Sequence, residues 1–120
     1  MLRKLAISLA LITPSATQAQ PYSESMADCA SIYQNAAQWV RTDESAEKLM
    51  VVARRWHAAA VAQSQAEGRR ISETAMWDKI DSKTEEWEAK GAVFAFSEEF
   101  RDWTSYCRKF ARHTGVEINS

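Results

Sequence analysis

The sequence predicts an all-α fold, a small up-down-up-down four-helix bundle closed by one disulfide between its first and last helices. Three observations predict it. Gly and Pro are scarce, at 3 and 2 in 120 residues, so little interrupts long helices. Beyond residue 20 the large apolar residues recur at a three-four spacing, not the alternation of a strand. Cys29 and Cys107 fall on the apolar seams of the first and last segments, one near a start and the other near an end. In an up-down-up-down bundle those two points share an end.

Arg3 and Lys4 precede an apolar run over residues 5–12, followed by Pro14 and small residues up to Ala19. This is the layout of a secretory signal peptide, too short for the roughly 20 residues that cross a bilayer. Residues 1–19 are expected to be cleaved, leaving residues 20–120 as one helical domain that starts at Gln20. No cysteine stands there to carry a lipid, so no membrane anchor is expected after cleavage, and the expected location is the periplasm or the exterior.

The first helix is expected over about 24–40, with Ser23 or Ser25 as its cap and a seam of Met26, Cys29, Tyr33, Ala36 and Val40. Thr42 caps the second, with Asp43 and Glu44 in the first turn where the helix dipole favours acids. That helix runs to about Glu67 and stops at Gly68, with a seam of Ala46, Leu49, Ala53, Trp56, Ala60 and Gln63. Ser72 caps the third, with Ile71 placed to staple onto Met76. Its seam is Trp77, Ile80, Thr84 and Trp87, and Gly91 ends it. The fourth keeps the spacing through Val93, Phe96, Phe100, Trp103, Cys107 and Phe110, although Ser97 with Glu98 and Glu99 marks an alternative start. Arg108, Lys109 and Arg112 suit the carboxyl end of its dipole, before Thr114 and Gly115 close it.

Two cysteines in an exported chain are expected to pair. Closing a loop of roughly 80 residues contributes about 4 kcal/mol in the chain-entropy model. A redox-active disulfide is not expected, because it uses a close Cys-x-x-Cys spacing that is absent.

Charge and motifs exclude several functions. Cleavage leaves 13 of the 15 basic residues against all 16 acidic ones, a formal charge of −3 (13 − 16). With acids and bases interspersed, no basic face for nucleic acid is expected. His57 and His113 are the only histidines and have no metal-ligand spacing, so neither a metal nor a cofactor is expected. Adjacent carboxylates such as Glu85 with Glu86, or Glu98 with Glu99, diverge by about 100° on a helix and make solvated faces. With no nucleophile motif either, the protein is not expected to be an enzyme.

What remains is surface. Trp56, Trp77, Trp87 and Trp103 lie on seams; Trp39 shares a stripe with Ile32 beside the seam and is read first as a core residue, with an exposed anchor for a protein partner as the alternative. The weakly apolar outer side of the second helix, with Val51, Ala58, Val61 and Ala62, is a second candidate, unless that helix is the central one. The leading expectation is an exported protein-binding or accessory module of inhibitor, immunity or adaptor type, whose partner is another protein or a second copy of this chain. Two others stand beside it. The layout of two distant cysteines in a small exported helical chain is similar to the small periplasmic acid-stress chaperones, which implies loosening at low pH. Met26 and His113, near one bundle end, resemble the axial pair of the soluble b-type cytochrome bundles, which implies a haem or small-ligand cavity.

Overall fold

The computed structural model describes residues 20–119, so the expected signal peptide lies outside the described residues. Four α-helices follow one another: α1 (Tyr22–Ala37), α2 (Asp43–Ala66), α3 (Glu73–Glu88) and α4 (Glu98–Thr114), with a 3₁₀ turn (Ala92–Phe96) before α4. The described residues contain no strand. No helix among them is long and apolar enough to cross a membrane.

The directions alternate. Ser23 at the start of α1 meets Glu67 at the end of α2, its hydroxyl donating to Oε1 at 2.6 Å. Gln38 after α1 meets Glu88 at the end of α3. Tyr22 stands beside Phe110 and His113 at the end of α4. The fold is therefore the expected up-down-up-down bundle.

Cys29 and Cys107 form a disulfide, with Cα atoms 5.7 Å apart and both residues fully buried. It joins α1 to α4 and sits in the main core with Met26, Ala30, Trp56, Met76, Ile80 and Phe110. A second cluster of Ile32, Trp87 and Phe94, with Phe100 and Trp103 against it, fills the other end.

Three of the expected caps are present. Thr42 Oγ1 accepts from Ser45 N at 3.0 Å, Ser72 Oγ from Ala75 N at 3.0 Å, and Ser97 Oγ from Phe100 N at 3.1 Å. The Ser97 cap settles the start of α4 at the later of the two expected positions. Ile71, half-buried, packs against the cluster that holds Met76.

The first helix departs from expectation at both ends. Neither Ser23 nor Ser25 caps it; α1 begins after Pro21, whose carbonyl accepts from Glu24 N at 3.0 Å. Both serines are buried instead, Ser23 against Glu67 and Ser25 accepting from the Gln20 side chain. The helix stops at Ala37, which leaves Trp39 and Val40 in the connection to α2. The seam is also wider than expected, because α1 touches all three other helices and buries Ala27, Ser31, Ile32 and Asn35 as well. The central helix is α1, not α2.

Charged groups tie the amino end of α1 to its neighbours. Glu24 pairs with Arg69 at 2.9 Å and with Lys79 at 3.1 Å, and Arg69 lies 3.6 Å from Glu67. Burial acts to raise the pKa of Glu24, but hydrogen bonds and charge from Lys79 and Arg69 outweigh it and hold the value below the usual range. Glu67 is lowered in the same sense: desolvation opposes, while hydrogen bonds from Ser23 and Gln63 and the Arg69 charge prevail. Burial pushes Asp28 up, partly countered by the Gln20 amide.

Two outcomes follow for stability. Reducing the disulfide, or the Cys29→Ser/Cys107→Ser variant, is expected to remove about 4 kcal/mol, lowering Tm by on the order of 20 °C. A Tm unmoved by reductant, with two thiols titrating, would contradict the bridge's role. On acidification the folded chain protonates Asp28 more readily than the unfolded chain, which adds stability as pH falls through that raised value. Glu24 and Glu67 act oppositely: their contribution is complete above the ordinary carboxylate range and is lost as pH falls towards their depressed folded values. Denaturant titrations across pH should show the acid limb of Arg69→Gln at higher pH than wild type, on a lower neutral plateau. Superimposed limbs would show that Arg69 does not set it.

Candidate functional site

Six large apolar residues are exposed among the described residues, and four of them lie at one end of the bundle: Trp39 (43 %), Val40 (37 %), Val93 (72 %) and Phe96 (81 %). The hydrogen bond from Gln38 to Glu88 joins the ends of α1 and α3 there, so the connection carrying Trp39 and Val40 and the 3₁₀ turn carrying Val93 and Phe96 leave from the same level.

Local geometry explains the exposure. A 3₁₀ helix has three residues per turn, so positions i and i+3 eclipse. Val93 and Phe96 therefore share one side of the turn, while Phe94 points elsewhere and stacks on Trp87 at 4.9 Å between ring centroids. Phe94 is the buried plug of the turn, at 2 % exposure. The expected α-helical seam through Val93 and Phe96 is thus corrected: at 3.6 residues per turn both would face the core, and at 3.0 neither does.

The overhang of α2 frames this end. With 24 residues against 16 in α1, and its carboxyl end level with Ser23, α2 extends about 12 Å past α1 at 1.5 Å per residue. Asp43, Glu44, Ser45, Glu47 and Lys48 on the overhang are all exposed. The charged residues on these connections and on the overhang are Asp43, Glu44, Glu47, Glu88, Glu98 and Glu99 against Arg41, Lys48, Lys90 and Arg101, with Lys48 paired to Glu44 and Lys90 to Glu99.

The other expected partner residues divide. Ile32 is fully buried in the second cluster with Trp87 and Phe94, so its assignment to a binding stripe with Trp39 is corrected. Its stripe faces inward because α1 is covered by α3, α4 and the 3₁₀ turn. On α2, Ala58 and Ala62 are exposed while Val51 and Val61 are half-buried, and Val61 packs against the main core. That side offers little large apolar surface. Sequence reasoning missed Val93 and Phe96. Gly91 before the run and Ser97 after it were the available signal of a short separate element.

The histidines are engaged locally. His57 stacks on Trp77 at 4.2 Å, and its Nε2–H donates to the Glu73 carbonyl at 2.9 Å. The Tyr22 hydroxyl lies 3.0 Å from His113 Nε2. Between Met26 and that end of α4 the core is filled by Trp56 stacked on Phe110 at 5.7 Å, with Tyr22 edge-on to Phe110, a packed interior where a haem would need space. No group of three or more His, Cys, Asp or Glu among the described residues is placed to hold a metal ion.

A groove of about 390 Å³ is lined by Gln20, Ser25, Asp102, Trp103 and Tyr106, where α4 runs beside the amino end of α1. Its apolar wall is made by the two rings, 5.8 Å apart and edge-to-face.

No protein-family model matches the chain, and neither the curated proteins nor the solved structures contain a significant match.

Trp39 is the only exposed tryptophan among the five. Acrylamide quenching of Trp39→Phe should therefore show loss of the most quenchable emission, with stability changed by less than about 0.5 kcal/mol. Unchanged quenching would place Trp39 under cover.

Proposed function

We propose that this chain is an exported, non-enzymatic protein-binding module that engages its partner through the end of the bundle bearing Trp39, Val40, Val93 and Phe96. The observation that carries this reading is the gathering of four of the six exposed large apolar side chains on two neighbouring connections. Trp is among the residue types that dominate binding energy at protein interfaces, and Phe is enriched in the cores of such interfaces.

The rim suggests the partner's chemistry. With acids in excess around the apolar residues, the favoured partner surface is apolar at its centre and basic at its edge. Export rests on the leader-like residues 1–19, and a disulfide between α1 and α4 fits an oxidising compartment.

The test has two arms. Intact mass of protein recovered from a periplasmic fraction should equal residues 20–120 less two hydrogens; a cytoplasmic chain with intact leader would overturn export. Affinity capture from the same compartment should retain a partner with wild type and lose it with Val93→Ser/Phe96→Ser, a variant expected to keep wild-type stability within about 0.5 kcal/mol because both side chains are exposed. Equal recovery with both proteins, or no stoichiometric partner, would remove the end face from consideration.

A further inference from the structure

We propose that the cleft between the last turns of α4 and the returning carboxyl-terminal tail binds a compact oxyanion, with Arg108 and Arg112 as its ligating residues. Gly115 adopts a left-handed conformation (φ 82°) and turns the chain back. Val116 N–H then donates to the Ala111 carbonyl at 3.1 Å. Val116 and Ile118 pack against the main core, and Arg55 Nη1 donates to the Glu117 carbonyl at 3.2 Å. The tail is thereby held as one wall of a cleft of about 340 Å³ whose opposite wall is α4.

Arg108 and Arg112 are one helical turn apart and both line this cleft. Among the described residues neither forms an ion pair, whereas Arg54 pairs with Glu47 and Arg69 with Glu24. The planar guanidinium fork that Arg108 and Arg112 each supply matches the geometry of phosphate or carboxylate oxygens. The one carboxylate in the lining, Glu117, accepts from its own tail at Asn119 N, 3.2 Å away.

Charge at the helix end decides the sign of the ligand. The carboxyl terminus of α4 presents about half a negative charge, which two arginines exceed several-fold. The volume accommodates a phosphate, a pyrophosphate or a tricarboxylate, and all three present the same clustered oxygens.

The site lies at the opposite end of the bundle from Trp39 and Phe96, so either assignment can fail alone. Titration of the disulfide-bonded protein with inorganic pyrophosphate and with citrate, against sodium chloride of equal ionic strength, tests it by calorimetry and amide chemical shifts. The expected result is saturable one-to-one binding with Kd below about 1 mM, shifts centred on residues 108–119, and a Kd weakened about tenfold or more by Arg108→Gln/Arg112→Gln. Glu117→Gln should tighten it. Saturation by pyrophosphate alone assigns a phosphate ligand, by citrate alone a carboxylate, and by both the shared oxyanion chemistry. Binding indistinguishable from chloride, or equal in wild type and the folded double variant, would overturn the proposal.

Discussion

Helix α1 is enclosed by the other three helices, and the rest of the structure is arranged around that constraint. An enclosed helix must bury whatever its sequence places on each face, so its polar residues need partners from the surrounding elements. Ser23 donates to Glu67. Ser31 accepts from the buried Trp87 indole at 2.8 Å while donating to the Asp28 carbonyl. Gln34 reaches Asp81 and Thr84 on α3. These bonds fix the rotation and height of α1 against its neighbours, and the disulfide at Cys29 locks the same register to α4. Asn35 is the exception, fully buried with no partner for its amide among the described residues.

That register divides the interior into two clusters with different construction. The main core is made by long-helix seams and the disulfide. The second is closed by the 3₁₀ turn, where a single ring, Phe94, packs between Trp87 and Phe100. A five-residue turn with three residues per revolution can direct one side inward only by directing another outward. Val93 and Phe96 are exposed as the counterpart of burying Phe94.

The two ends of the bundle consequently differ. One presents apolar side chains on connections, with acids around them. The other, where α4 ends and the tail returns, presents Arg108 and Arg112 in one cleft with Glu117. A chain of nearly balanced charge thus carries exposed apolar side chains at one end and a pair of arginines lining a cleft at the other.

Helix number and order, the caps at Thr42 and Ser72 and the pairing of Cys29 with Cys107 were legible in the sequence, because each depends on local signals: three-four apolar spacing, a capping hydroxyl before acids, and two cysteines on end-matched seams. Sequence could not identify which helix would be enclosed. The alanine run on α2 suggested that helix, yet the bonds made by Ser23, Ser31 and Gln34 place α1 in the middle, and with it Ile32 in the core. Nor did periodicity separate a 3₁₀ turn from an α-helical start at Val93, since over five residues the two differ by a fraction of a turn. Burial of polar residues, exposure of Phe96 and the meeting of Arg108, Arg112 and the tail are decided by which elements pack together, a property of contacts distant in the chain.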